Sequence, residues 1–364
     1  MAIISHGRQY DRDVESAVAA SLLRWGGDTR AARAYRALWM SAPASPPGLR
    51  QLSLALEPQP DRRAVAERAA AALATQALAR ATAAGITPMA FGDAAYPARL
   101  VPLVDPPIVL WGLGDPAVLA APAVALVGSR RATPGGLAMA RRLAGDLAKN
   151  GLVIISGLAR GIDAAAHEGA LDAGGLTVAV LGCGVDVVYP RQHEALVRRI
   201  GQAGCLVSEL PPGTPPLPRH FPLRNRIISG LSLAVVVVEA AERSGSLITA
   251  RMALEQGRDV LAVPGPVVSG CHRGCHALIK DGAGLVEHAD DVLAALGRPG
   301  TPVTAARDGR SGLAAHMPPG EPLSVDVLAE RAGLASHAAL AELGLLELDG
   351  TVARTTGGLF VRLD

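Results

Sequence analysis

The chain has 364 residues, 49% hydrophobic, 19% charged and 3% aromatic, and its 35 Lys+Arg against 33 Asp+Glu leave a formal net charge of +2. So much apolar material and so small a charge imbalance exclude a disordered, collagenous or polybasic-tail protein, and any polyanion site must be local. Three Phe, three Trp and four Tyr are too few to carpet a surface with stacking rings, as OB-type and RRM-type platforms require.

Residues 1–110 are rich in alanine and arginine, with 12 basic and 9 acidic residues. The spacing predicts helices over 13–23, 31–39 and 63–84, interrupted by Pro43, Pro46 and Pro47, hence a small all-helical domain with a connecting segment. Residues 111–297 carry 17 basic and 16 acidic groups and change character. Short β-branched runs at 124–127, 152–155, 177–181, 205–208, 233–238 and 260–263 alternate with helical stretches such as 136–149, 163–173 and 246–256. That is the pattern of an α/β domain whose parallel sheet is covered on both faces. Residues 298–320, rich in Gly, Pro, Thr and Ala, predict a linker. In 321–364, helices over 324–331 and 336–343 turn at Gly333, and strands over 345–348 and 359–361 follow, the order of a winged helix. The 6 basic against 8 acidic residues from 297 onward make this unit a poor duplex reader, because phosphate contacts dominate such binding; a protein contact is at least as good a reading.

Cys183, Cys205, Cys271 and Cys275 are few and unevenly spread, which does not suggest a disulfide framework. Residues 1–10 lack the apolar core of a signal peptide, and the longest apolar runs are too short to span a bilayer. The expectation is a cytoplasmic protein with no membrane partner.

The chemistry concentrates at the ends of the predicted strands, where open parallel sheets bind ligands. Gly128, Ser129 and Arg130 follow the run 124–127: a glycine for close approach, a hydroxyl, and a guanidinium that forks onto phosphate. The competing reading is a turn with a surface arginine. After the run 152–155 come Ser156, Gly157, Arg160 and Gly161, then a helix whose first-turn Asp163 reads as a local acceptor fixing the loop. His167 and Glu168 lack a nucleophile or metal pattern and read as structural. Cys183 between two glycines reads as a buried small residue, and Tyr189 with Pro190 as the closure of that loop.

The densest segment is PRHFPLRNRIISG (218–230), with Arg219, His220, Phe221, Arg224, Asn225 and Arg226. A ring among arginines suits single-stranded nucleic acid, the ring facing a base and the cations the backbone. Arg224 and Arg226 point in different directions on a helix, so one of them instead pairs with an acid such as Glu209 or Glu239, and Phe221 reads equally as a core plug. Ser244, Gly245 and Ser246 form either a phosphate cradle or an ordinary helix cap. Glu239 repels phosphate, so its partners are a base edge, an arginine or loop amides. The C-x3-C spacing of Cys271 and Cys275, with His272 and His276, does not match structural zinc; His276 reads as a cap for a helix beginning near Ala277, on which Lys280 reaches towards a phosphate.

Taken in order, GSR (128–130), SGLARGID (156–163), LGCGVDVVYP (181–190), FPLRNRIISGLS (221–232), SGSLITA (244–250), GRDVLAVPG (257–265) and LIKDGA (278–283) resemble the DNA-processing protein A family (DprA, also Smf). The resemblance spans essentially the whole sheet domain. It implies an extended Rossmann-like sheet domain between an N-terminal helical domain resembling a sterile-alpha-motif fold and a C-terminal winged-helix-like domain. It implies a protein that binds single-stranded DNA without catalysing a reaction or holding a cofactor, protects incoming DNA during natural transformation, and loads RecA recombinase on it. It also implies a homodimer formed through the sheet domain. On that resemblance Gly128, Ser129 and Arg130 meet backbone phosphate, Arg219 and Phe221 line the strand's path, and Lys280 is a further contact. His193 and His276 stand where many members show asparagine.

Two other readings compete. A nucleoside monophosphate phosphoribohydrolase-like enzyme would use a PGG-x-G-T loop, but Pro134, Gly135 and Gly136 here directly follow the first strand and that loop is not reproduced. A duplex-binding regulator would use the terminal wing.

Overall fold

The computed structural model describes residues 12–25, 29–41, 47, 49–56, 60–298, 312–318, 320–348, 350–355 and 357–363. Pro43, Pro46 and most of the predicted linker lie outside the described residues. Helices α1 (Arg12–Trp25), α2 (Thr29–Ser41), α3 (Leu49–Leu56) and α4 (Pro60–Ala83) come first. The strand–helix region then runs β1 (Thr87–Ala90), β2 (Val109–Gly114), β3 (Ala123–Gly128), α5 (Pro134–Lys149), β4 (Val153–Ser156), α6 (Ile162–Asp172), β5 (Thr177–Val180), α7 (Glu194–Ala203) and β6 (Cys205–Ser208). It continues with α8 (His220–Leu231), β7 (Ala234–Glu239), α9 (Ser246–Glu255), β8 (Asp259–Ala262), α10 (Arg273–Lys280), β9 (Gly284–Leu285) and α11 (Ala289–Ala295).

These nine strands form one sheet in the order β1-β2-β6-β5-β4-β3-β7-β8-β9. From β6 to β9 the pairing is parallel, and all six runs predicted from sequence lie there. The sheet is nevertheless mixed, because β1 and β2 add antiparallel at the β6 edge. The strands therefore begin at Thr87, ahead of residue 111. Pro88 is tolerated because β1 is an edge strand, and proline in so short a run hides it from a pattern search.

Side chains along each strand alternate between two cores. Val124, Leu126, Ile154 and Val236 face Leu143, Leu147 and Ile162 of the α5 and α6 layer. Ala125, Val127, Ile155, Val235 and Val237 belong to the other core, with Ile227, Ile228 and Leu231 of α8. With both faces buried, the runs read as continuous rather than alternating.

The N-terminal helices share an apolar core with β1 and β2, where Ala17, Tyr35, Leu52 and Leu78 join Met89 and Trp111, and buried charge ties them further. Asp105 accepts from Arg24 at 3.0 and 2.6 Å and from Arg36 at 2.7 Å, while Arg226 lies 2.7 Å from the buried Glu209 and 3.5 Å from Asp105. Burial works to raise the Asp105 carboxyl, but the arginine hydrogen bonds and charges outweigh it and hold it at about 2. Arg80 of α4 pairs with Asp186 at 2.8 Å.

At the C-terminus, α12 (Val325–Ala332), α13 (Ser336–Leu348) and the hairpin of β10 (Val352–Arg354) with β11 (Phe360–Arg362) enclose a small core of Leu313, Met317, Leu328, Ala339, Leu343 and Phe360. The strand expected over 345–348 is the last turn of α13. Ala339 and Leu343 are buried and Leu346 packs beside them, which is helical spacing. Among the described residues no helix is long and apolar enough to cross a membrane.

Candidate nucleic-acid interface

The loops that leave β3, β4 and β5 at their C-terminal ends meet the start of α8. Between them lies an open cleft of about 60 Å³, lined by Arg130, Gly157, Leu158, Ala159, Arg160, Tyr189, Pro190, Phe221 and Arg224. Arg130 is exposed, and its guanidinium carbon lies 5.8 Å from the centroid of the half-buried Phe221 ring, within cation–π range. On the other side the Tyr189 ring, 45% exposed, lies 5.5 Å from Phe221 at 42°. An exposed guanidinium and two aromatic rings thus share one concave surface.

Buried charge holds the floor of this cleft. Arg224, on α8, shares its helix face with Ile227, Ile228 and Leu231 and is buried with them. Its Nη1 donates to Gly157 O at 2.6 Å and to Val180 O, and its Nε to Asn225 Oδ1 at 3.0 Å. A Cβ at residue 157 would collide with this guanidinium, so glycine is required there by packing. Asp163 closes the loop from below, its Oδ2 accepting from Gly157 N at 3.1 Å and Ala159 N at 3.3 Å. Burial pushes the Asp163 carboxyl up, while the charge of Arg224 and the two amides work the other way; burial pushes Arg224 down to about 10, so it stays charged at neutral pH. His193 adds a brace, its Nδ1 lying 3.1 Å from Leu158 O.

Several residues expected to touch nucleic acid are instead inside the frame. Ser156 is buried and donates from Oγ to Leu126 O at 2.6 Å. Gly157 and Arg224 are buried as described. Asn225 accepts from Arg224, and Arg226 is engaged by Glu209, Asp105 O and Leu223 O. Gly128 serves packing rather than ligand approach, since a Cβ there would lie 2.6 Å from Ile162 and 2.8 Å from Glu239 O. Ser129 donates its amide to Glu239 O, and its carbonyl accepts from Ile162 N. Arg160 and Arg219 are exposed, Arg160 in the cleft and Arg219 at the N-terminus of α8.

Ser244 and Ser246 are linked through their hydroxyls at 2.7 Å, with Ser246 buried and Gly245 exposed at the start of α9, beside the β3 tip rather than in the cleft. The helix carrying Lys280 begins at Arg273, not near Ala277; His276 sits inside it, with Nε2 3.0 Å from Gly265 O, rather than capping it. α10 starts against Ala240 O at the rim and runs back along the sheet, which leaves exposed Lys280 about 10 Å down the helix from that end.

The groups that an enzyme would use are occupied. Glu239 is fully buried and accepts from Thr133 N at 3.0 Å and Thr133 Oγ1 at 2.6 Å, so loop donors are its partners. His167 is buried with Nδ1 2.7 Å from Thr177 Oγ1, and burial lowers it to about 3. Burial raises the Cys183 and Cys275 thiols to about 11 each. Among the described residues no group of three or more His, Cys, Asp and Glu side chains is arranged to hold a metal ion.

Tyr189 is the cleft residue that sequence reasoning left as loop closure. The available signal was topological: β5 neighbours β4 in the sheet, so an aromatic at the end of the β5 loop arrives beside the β4 loop.

Residues 87–297 match the family described as DNA recombination-mediator protein A, and residues 298–358 match the DprA winged helix domain. The DNA processing protein DprA of Streptococcus pneumoniae is 48% identical over 202 residues, 56% of this chain and 71% of that protein. Protein Smf of Escherichia coli is 43% identical over 281 residues, 74% of this chain and 75% of that protein. The X-ray structure of the S. pneumoniae protein superposes with a TM-score of 0.65 at 36% identity, covering 78% of this chain and 95% of that one. DNA processing protein A from Helicobacter pylori, in a structure concerned with its single-stranded DNA binding mode, superposes with a TM-score of 0.53 at 31% identity, covering 58% of this chain and 95% of that one. With its sheet region and its C-terminal unit both matched in sequence order, the chain belongs to the DNA recombination-mediator protein A family.

Proposed function

We propose that this protein binds single-stranded DNA along the C-terminal rim of its sheet, protects it there, and passes it to RecA recombinase as a homodimer. The observation that carries the binding step is the Arg130–Phe221–Tyr189 cluster. Phe221 and Tyr189 present ring faces to unpaired bases, at about 1–3 kcal/mol per stacked base. Arg130, with Arg160 beside it and Arg219 at the start of α8, takes the phosphates. A duplex keeps its bases stacked inside and offers the rings nothing, so single strands are preferred. Backbone contacts carry little sequence information, and the preference among sequences is weak.

The likeness to the H. pylori protein supports the choice of single-stranded DNA, and the handover to RecA and the homodimer rest on family resemblance alone. In a dimer two such clefts engage one strand, which raises avidity without new contacts. The buried Glu239, whose carboxylate accepts from Thr133 N and Oγ1, favours binding over hydrolysis of a nucleotide. The SHAALAELGLLEL helix α13 holds the second-helix position of the winged unit without a lysine or arginine, which disfavours the duplex reader.

The test is a competition titration of a labelled oligonucleotide against unlabelled single strand and unlabelled duplex of the same sequence. The single strand is expected to compete at least tenfold better. Equal competition removes the proposal. RecA loading is tested separately, by filament assembly on DNA pre-coated with a single-strand-binding protein, with and without this protein.

A further inference from the structure

Two loops that line the cleft, one after β4 and one after β5, are tied together by one side chain. The β4 loop contains Leu158, whose φ of +56° is the only positive value at a non-glycine residue among the described residues. In that left-handed region the Cβ crowds the following carbonyl, so a side chain such as leucine stays there only when its surroundings impose it. Three contacts do so. The Leu158 side chain is buried in the hydrophobic core. The amides on either side of it, Gly157 N and Ala159 N, both donate to Asp163 Oδ2. Its carbonyl oxygen lies 3.1 Å from Nδ1 of His193, and no other hydrogen bond reaches it among the described residues.

His193 belongs to the other loop. Tyr189 and Pro190 line the cleft, and a 3-10 turn (Arg191–His193) follows them. His193 N closes on Pro190 O at 3.0 Å, just before α7 begins at Glu194. The backbone of His193 is thus fixed to the wall that carries Tyr189, and its ring to the wall that carries Arg160. A carbonyl only accepts, so the half-buried ring holds a proton on Nδ1. Asp163 belongs to the helix that follows the β4 loop, so it shapes that loop without setting its distance from the other. The His193 bond sets that distance.

We propose that His193 is a positioning residue for single-strand binding: its Nδ1–H holds Leu158 O and so fixes the Arg160 wall against the Tyr189 wall before a strand arrives. This role rests on the function proposed above. When the bond is absent, Leu158 relaxes out of the left-handed region and Ala159 and Arg160 move with it. The assembled cleft is then populated for only part of the time, and the apparent affinity falls by that fraction. The contacts made once a strand is bound are unchanged. The loss therefore appears in the association rate.

In asparagine the amide nitrogen is bonded to Cγ, as Nδ1 is in histidine, and it donates; leucine has the same branched shape without a donor. His193→Asn should keep the brace, and His193→Leu and His193→Ala should lose it. Stopped-flow binding of a labelled single strand to the full chain reads the difference, with thermal unfolding to check that each variant is folded. His193→Leu and His193→Ala should bind about two- to tenfold more weakly, the worth of one hydrogen bond, through slower association, while His193→Asn stays within about twofold of wild type. Hydrogen exchange in the free protein reads the loop without DNA. Residues 157–161 should exchange faster in His193→Leu than in wild type, and at the wild-type rate in His193→Asn. Wild-type exchange in His193→Leu, or an asparagine variant that binds no better than the leucine one, overturns the proposal. So does a loss confined to the dissociation rate, which would mean that His193 touches the strand itself. If wild type shows no preference for single strands over duplex, the functional reading falls and takes this role with it, even where exchange still separates the two variants.

Discussion

The guanidinium of Arg130, at the tip of β3, lies over the ring of Phe221, at the start of α8, with 5.8 Å between its carbon and the ring centroid. Neither element neighbours the other in sequence. Their meeting is a consequence of a parallel sheet, in which successive strand ends open onto one rim. The proposed division of labour, ring to base and cation to phosphate, requires both to face one cleft, as they do.

Phe221→Ala should weaken single-strand binding by about 1–3 kcal/mol, and Tyr189→Ala by a similar or smaller amount. The rings are 5.5 Å apart, so a double-mutant cycle measured by fluorescence anisotropy should show them coupled rather than additive. Strict additivity would mean that they serve different nucleotides.

Arg224→Ala should act on the fold. It leaves Gly157 O and Val180 O without their donor and Asp163 without the positive charge that offsets its burial, a loss of about 3–5 kcal/mol in urea unfolding. Arg224→Lys should not restore it, because an ammonium lacks the planar fork.

His167 makes stability pH-dependent. Burial lowers its pKa in the folded state from 6.5 to about 3, so below pH 6.5 the unfolded chain takes up a proton that the folded chain does not. Stability contributed by the neutral ring is therefore present above 6.5 and is lost as pH falls towards 3, with a slope approaching 1.4 kcal/mol per pH unit. His167→Asn should flatten that part of the stability curve. An unchanged slope would show that other groups carry it.

Glu209→Ala should loosen the seat of the helical region, since Glu209 is buried and pairs with Arg226 at 2.7 Å and Arg24 at 3.5 Å. Hydrogen exchange should rise in α1 and α2 before it rises in the sheet. Asp105, held at about 2, adds an acid-sensitive element: its share is present above the ordinary value of 3.8 and is lost as pH falls from there towards 2.

The parallel core was legible because strands buried on both faces must be continuously apolar, and 234–239 is valine at four of its six positions. β1, β2 and β9 were not legible, the first interrupted by Pro88, the second holding two glycines, and the third only two residues long. In the site, chemistry marked Arg130 and Phe221, but residue type did not separate Arg130 from Arg224. Helical spacing does: Arg224 falls in line with Ile227, Ile228 and Leu231, the buried face of α8, whereas Arg130 lies in the turn two residues beyond the end of β3. Arg226 pairs with Glu209, one of the two acids that its position allowed. Tyr189 stayed hidden because its neighbours come from the order of strands in space, not in sequence.

The most direct test of the account is a salt titration of single-strand and duplex binding by wild type and Arg130→Ala. Wild type should prefer the single strand. The variant should bind it about tenfold or more weakly, with a salt slope reduced by about 0.7, as the loss of one phosphate contact requires. Unchanged single-strand affinity and slope in Arg130→Ala, or a preference of wild type for duplex, would contradict it.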